Sequence, residues 1–347
     1  MLRKMLLMGI LVGYVFGSSF NDEIKALDKK EHKKALESFK KACDSGDAGG
    51  CTGLGIMYGD AYGIKKDSLK AVKLYSKACD GGDAEGCAML GAMYGLGAGV
   101  KYDKLKYIEL KTKACNGGYA RGCYSLAICY AGGVSGVEKD GQKAEELYAK
   151  ACDNGVPEGC SELGSIYAER SDGLKAVELY IKACEGGDTM GCFSLATIYS
   201  KGIGVEQDSS KAEKLYTKAC DDKVASACYT LGEMYEKGDD IKQDSFKAVE
   251  LYTKACDGGN AGGCSNLGIL YAIGNGVKQD SLKAVMLFTK ACNDRDPGGC
   301  NNLGKAYAEG NGIKQNNKLA LKYLGMACDM EVEMGCKNFA IVKNRMK

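Results

Sequence analysis

Residues Ala78 to Cys87 read ACDGGDAEGC, two cysteines eight positions apart around a Gly-Gly pair. Nearly the same phrase returns along the chain. Cysteine pairs fall at 43/51, 79/87, 115/123, 152/160, 184/192, 220/228, 256/264, 292/300 and 328/336, each of them C-x7-C. Successive pairs are 36 residues apart except for one step of 37 and one of 32, so a single rule covers 18 of the 19 cysteines. A fixed period of this length marks stacked structural units and overrides a two-domain reading of a 347-residue chain.

One unit, residues 68–103, reads SLKAVKLYSKACDGGDAEGCAMLGAMYGLGAGVKYD. Ala71, Val72, Tyr75, Ala78 and Cys79 recur at helical spacing with lysines between them. Gly81 and Gly82 end that helix, and Asp83 is placed to cap the next. Cys87, Leu90, Gly91 and Tyr94 share one face at i, i+3, i+4 and i+7 before GLGAGV breaks the second helix. Each unit is therefore an antiparallel helical hairpin, and the expected fold is an all-α solenoid of nine such pairs. The units are 32–67, 68–103, 104–140, 141–172, 173–208, 209–244, 245–280, 281–316 and 317–347, preceded by a cap segment at 20–31. The unit at 141–172 lacks most of the G-x-G loop. Gly55, Gly91, Gly164, Gly232, Gly268 and Gly304 follow a leucine in the second helix, where Ala127 and Ala196 stand in two units. A side chain this small admits a neighbouring helix, at a cost of about 1 kcal/mol of helix stability per glycine.

Three uses of the cysteines compete. Zinc sites want C-x2-4-C spacing and often histidine, and this chain has one histidine, His32. A redox centre would show C-x-x-C, which is absent. The remaining use is a disulfide within each hairpin: Cys43–Cys51, Cys79–Cys87, Cys115–Cys123, Cys152–Cys160, Cys184–Cys192, Cys220–Cys228, Cys256–Cys264, Cys292–Cys300 and Cys328–Cys336. Eight residues of unbroken helix would hold the Cα atoms about 12 Å apart, against roughly 5.5 Å in a disulfide. A Gly-Gly turn between them closes that gap. Each loop this size contributes about 2.6 kcal/mol in the chain-entropy model. Cys129 is left over, in the slot held elsewhere by Met57, Met93, Ile166, Ile198, Met234 and Leu270. A buried thiol packing as a small hydrophobe and a reactive free thiol are both open readings.

The N-terminus, MLRKMLLMGILVGYVFGSSF, has a basic start at Arg3 and Lys4 and an apolar run over Met5–Phe16. That run is too short to span a bilayer, so residues 1–19 read as a secretory signal peptide. No cysteine follows the run to take a lipid. The mature chain is then secreted or periplasmic, where disulfides persist, with no membrane span after cleavage. Lysine and arginine total 47 against 45 acidic residues, so no global charge draws the chain to nucleic acid or membrane.

The pattern KAVxLYxKACDxGxxxGCxxLGxMYxxGxGVxxD resembles the Sel-like repeat, a relative of the tetratricopeptide hairpin. The C-x7-C pair is similar to that of the secreted Helicobacter cysteine-rich proteins. The resemblance covers residues 32–347. It implies a right-handed superhelix of antiparallel helix pairs, each with a disulfide between its two helices. It also implies either of two activities described for that family: penicillin binding with weak β-lactamase activity, and engagement of a host.

A serine β-lactamase wants S-x-x-K, S-D-N and K-T-G. SFKK at Ser38–Lys41 matches the first, but Ser38 aligns with Leu74, Leu179 and Leu215 on an outer edge. The KTK at 111–113 is not K-T-G, and no S-D-N occurs. The residues supply no recognisable catalytic, metal or cofactor site, so whether the chain is an enzyme stays open. Weak hydrolysis of β-lactams is the alternative that the resemblance implies.

Two further series recur. Tyr58, Tyr94, Tyr130, Tyr167, Tyr199, Tyr235, Tyr271 and Tyr307 share one slot in the second helix and read as packing. Lysines seven apart on eight of the nine first helices, such as Lys70 and Lys77, return to one face and should form a basic ridge, either solvated or open to acidic partners. Loop residues such as Asp67, Asp103 and Asp140 are the compensating acids. What varies is the pair of positions after the second cysteine. Tyr124, Phe193, Tyr229, Asn266 and Asn302 there are the candidate partner contacts, the asparagines being able to pair with a peptide backbone. Unit 104–140 departs from the pattern through Tyr107, Lys111, Tyr119, Tyr124 and Cys129, an irregular spot. The expected function is an exported monomeric scaffold that binds proteins or peptides, from the host or the periplasm.

Overall fold

The computed structural model describes residues 29–238 and 241–346, so the leader expected at 1–19 lies outside the described residues. Among the described residues there are eighteen α-helices and no strand. They fall into two compact units, one ending at Asp188 and one beginning at Thr189. The first contains α1 (Lys29–Asp44), α2 (Ala48–Asp60), α3 (Ser68–Asp80), α4 (Ala84–Leu96), α5 (Lys104–Asn116), α6 (Ala120–Gly132), α7 (Gly141–Asp153), α8 (Pro157–Glu169) and α9 (Gly173–Glu185). The second contains α10 (Thr189–Lys201), α11 (Ser209–Asp221), α12 (Ala225–Lys237), α13 (Ser245–Asp257), α14 (Ala261–Ile273), α15 (Ser281–Asn293), α16 (Pro297–Glu309), α17 (Asn317–Asp329) and α18 (Glu333–Arg345). Residues 29–31, read from the sequence as cap segment, belong to the first helix.

The helices begin and end where the sequence punctuates them. Asp67, Asp103 and Asp140 each accept the backbone N–H three residues on, closing the starts of α3, α5 and α7. These loop acids are helix caps as well as counter-charges. Gly81 stands at the C-terminus of α3, Gly82 takes φ +88°, and Asp83 opens α4. The two prolines, Pro157 and Pro297, occupy the first turns of α8 and α16, where no N–H is required.

Asp83 has a second task. Its carboxylate accepts from the Gly86 N–H at 2.7 Å and from the Thr52 hydroxyl on α2. Thr52 is 0% exposed and Asp83 5%. Asp83→Ala removes a cap and leaves a buried hydroxyl without its acceptor, an expected loss of about 2 kcal/mol. A denaturant midpoint shows it, and Thr52→Val in the same chain should restore part of the loss.

The tightest packing joins the second helix of one hairpin to the first helix of the next. A Cβ on Gly55 would sit 2.5 Å from the Tyr75 ring, one on Gly232 2.8 Å from Tyr252, and one on Gly268 2.6 Å from Phe288. Around these contacts lie Ala71, Ala78 and Tyr75 in the first unit and Ala248, Tyr252 and Ala255 in the second, all nearly inaccessible. Within a hairpin the link is covalent. Eight C-x7-C pairs are bonded with Cα separations of 4.4–4.7 Å. Cys184 and Cys192 are also disulfide-bonded. Among the described residues the free thiol is Cys129, which is buried.

Candidate recognition surface

The variable positions after each second cysteine lie on the second helices, where each borders the next hairpin. In the second unit the Phe193 ring on α10 packs 5.7 Å from that of Tyr216, and the Tyr229 ring on α12 lies 6.0 Å from Tyr252. Asn266 on α14 lies beside both Tyr229 and Tyr252, where its amide favours their charged forms against the larger effect of burial. The Tyr252 hydroxyl in turn donates to Glu236 at 2.5 Å. Burial, the largest cause, raises the pKa of both tyrosines, and neighbouring carboxylates push the same way. Both rings therefore stay neutral donors at physiological pH. Asn302 on α16 belongs to an amide group in which Asn338 donates to Asn301 at 2.8 Å. All four of these candidates, Phe193, Tyr229, Asn266 and Asn302, are half-buried: one side meets protein, the other solvent. In the first unit Tyr124 has the same setting, its ring 6.0 Å from Tyr148.

The basic ridge takes a different form from the one expected. From α3 onward the first lysine of a pair lies over the tyrosine of the preceding second helix: Lys70 over Tyr58 at 4.2 Å, Lys143 over Tyr130 at 4.2 Å, Lys175 over Tyr167 at 3.9 Å, Lys283 over Tyr271 at 4.3 Å. Several of these ammonium groups also donate to the hydroxyl, Lys70 at 2.7 Å and Lys283 at 2.7 Å. The second lysine reaches the end of the previous first helix. Lys77 Nζ donates to the Cys43 carbonyl at 2.8 Å, Lys113 to Cys79 at 3.0 Å and Lys290 to Cys256 at 2.9 Å. These contacts neutralise carbonyls at helix C-termini and tie hairpin to hairpin. The tyrosine series is thus an interface to lysine. The signal was in the sequence, as an interval of 12 between Tyr58 and Lys70, Tyr94 and Lys106, and Tyr271 and Lys283, which becomes 13 for Tyr130 and Lys143 and 8 for Tyr167 and Lys175 where the loop length changes.

The irregular spot divides. Lys111 stands where other first helices place a core aromatic, and its stem passes Gly91 at 3.7 Å from where a Cβ would be. Tyr107, one turn earlier, takes an alanine slot and fills the space beside Gly95. The Cys129 thiol lies 3.9 Å from the Tyr107 hydroxyl and 3.3 Å from the Ser125 carbonyl. Burial lowers the Lys111 pKa from the usual 10.5 to about 8. Burial raises that of Tyr107 to about 12, with Cys129 adding to it. Tyr119 packs instead against the core of the preceding hairpins, and Tyr124 belongs with Tyr148. Ser38 and Lys41 of the S-x-x-K match are both exposed on α1. No group of His, Cys, Asp and Glu fit to hold a metal occurs among the described residues.

Comparison with known proteins agrees with this architecture. A protective antigen of uropathogenic Escherichia coli that displays an SLR fold superposes with a TM-score of 0.81 at 28% identity, covering 90% of this chain and 68% of its own. A Sel1 repeat protein from Oxalobacter formigenes gives 0.65 at 24% identity, covering 87% and 88%. Helicobacter pylori cysteine-rich protein B matches a shorter stretch, 39% of this chain and 96% of its own, at 31% identity and a TM-score of 0.32. No curated protein matches the sequence. The Sel1 repeat profile matches nine times, at 20–47, 48–83, 84–119, 120–156, 157–188, 189–223, 225–260, 261–296 and 297–332. Most of these frames pair a second helix with the following first helix, the pairing that packs most tightly here. With the period, the helix pairs and the profile in agreement over nearly its whole length, the chain belongs to the Sel1 repeat family.

Proposed function

We propose that the chain is an exported, disulfide-stapled scaffold that binds polypeptides on the faces of its second helices. The observation that carries this reading is the half-buried row of Phe193, Tyr229, Asn266 and Asn302, variable side chains on an otherwise repeated frame. Buried aromatic flanks and amides with capacity left for a peptide backbone are what recognition of an extended chain requires. Eighteen oxidised cysteines call for an oxidising compartment. Likeness to a protective antigen of a pathogen supports a place outside the cytoplasm and contact between bacterium and host.

The test is selection of a displayed random-peptide library on the oxidised protein, followed by calorimetric titration of the enriched peptides. Saturable binding is expected, weakened by about thirtyfold in Asn266→Ala/Asn302→Ala, the loss of two hydrogen-bonding side chains at about 1 kcal/mol each. Intact-mass measurement of the same protein after incubation with a penicillin runs alongside. A covalent adduct localised to one residue, with turnover and no peptide binding, would replace this reading with a hydrolase.

A further inference from the structure

At the junction of α4 and α5 three large apolar side chains stand in water: Leu96 is 79% exposed, Tyr102 58% and Leu105 68%. The first two positions are polar in most other repeats. Leu96 aligns with Asp60, Glu169 and Lys201, and Tyr102 with Gln243, Gln279 and Gln315. Those glutamines donate their side-chain amides to a carbonyl near the end of the preceding helix, each at 2.8 Å. Tyr102 has no amide to donate there. Leu69, one repeat before Leu105 in the same slot, is 65% exposed. Neither core packing nor helix capping accounts for these four residues.

They lie on one continuous edge of the first unit. The loop after α4 presses on the start of α3, where a Cβ on Gly99 would come within 2.6 Å of the Ser68 carbonyl oxygen. The loop after α6 meets the start of α5, with the Gly136 position 3.3 Å from the Lys104 stem. Across residues 60–70, 96–106 and 132–143 this edge carries eight lysines against five acidic residues. Three of those acids, Asp67, Asp103 and Asp140, have a carboxylate oxygen engaged as a helix cap. The chain is near neutral as a whole, but this edge is basic.

We propose that this edge is a peripheral docking surface for an anionic lipid bilayer, with Leu69, Leu96, Tyr102 and Leu105 entering the interface and the surrounding lysines meeting lipid phosphates. Apolar tips interleaved with lysines suit a headgroup region, which accepts both at once. A protein partner calls instead for a contiguous apolar centre depleted in charge. No helix among the described residues is long and apolar enough to cross a membrane, so the contact is superficial and salt-sensitive.

The oxidised protein is floated with vesicles of equimolar phosphatidylcholine and phosphatidylglycerol, and with vesicles of phosphatidylcholine alone. Binding to the anionic vesicles is expected, on the order of tenfold stronger than to the neutral ones and lost at high salt. The variant Leu69→Ser/Tyr102→Gln/Leu105→Ser, altered only at exposed sites and checked by helical circular dichroism, should lose binding on the order of tenfold. Equal binding to both vesicle types, or unchanged binding by the folded variant, overturns the proposal. So does an absence of vesicle binding with polyglutamate bound by the parent and lost in the variant, which would assign the edge to an acidic polypeptide. The peptide-binding row is untouched by these substitutions, so the two readings stand or fall separately.

Discussion

Reduction of the oxidised protein is expected to abolish its cooperative thermal transition and most of its helical circular dichroism near physiological temperature. Each C-x7-C bridge restrains the unfolded chain by about 2.6 kcal/mol in the loop-entropy model, and single domains are stable by only about 5–15 kcal/mol in total. The bonded pairs together exceed that margin even if their contributions are far from additive. The helices have little to fall back on. They are 13 residues long after the first, near the length at which an isolated helix is marginal in water, and the second helices carry several glycines. Removal of one bridge, Cys256→Ser/Cys264→Ser, should lower stability by about 2–3 kcal/mol while the array stays folded. The measurement is a pair of melts with and without a phosphine reductant. An unchanged transition in the reduced protein would show that packing alone sustains the repeats.

Lys111→Met is expected to stabilise the protein at neutral pH by about 3 kcal/mol. Lys111 is 8% exposed and sits in a slot that other repeats fill with an aromatic ring. Burial brings its pKa from the usual 10.5 down to about 8, and each unit of such displacement corresponds to about 1.4 kcal/mol. Below pH 8 the folded protein holds a buried charge, and the full penalty is present. Between pH 8 and 10.5 the unfolded chain binds a proton that the folded chain does not, so stability rises with pH. Above 10.5 the amine is neutral in both states and the penalty is gone. Methionine keeps the unbranched shape without the charge. Urea unfolding of both proteins across this range checks the result: the gap should be widest below pH 8 and close towards pH 10.5. A gap that does not depend on pH would mean that shape, rather than charge, limits this slot.

The hairpin, its turns and its staples were legible because they depend on residues close in sequence. The Gly-Gly between Cys79 and Cys87, the Asp83 cap and the 3.6-residue stripe through Tyr75 and Ala78 are all local. Contacts between hairpins were harder to read. Lys77 and the Cys43 carbonyl are 34 residues apart, and nothing in either segment names the other, so a ridge of solvated lysines was the simpler expectation. The spot around Tyr107 was visible as a departure from the repeat. Its sense, a ring moved back one turn with a lysine filling the vacated slot against Gly91, emerges only once the neighbouring helix is in place. Asn266 was recognised as a hydrogen-bonding side chain, whereas its place beside Tyr229 and Tyr252 depends on how two successive hairpins meet.

The bridges that bracket each turn also bear on survival among proteases. Tight turns are exposed and short of side-chain protection, and two of them present a basic residue at positive φ, Lys223 at 69° and Arg295 at 63°. A trypsin-like enzyme that cuts after either residue severs a peptide bond lying between Cys220 and Cys228, or between Cys292 and Cys300. The fragments on the two sides remain covalently joined, and the helices they carry stay in register. A nick at either of these two sites thus leaves one molecule where an unbridged array would yield two.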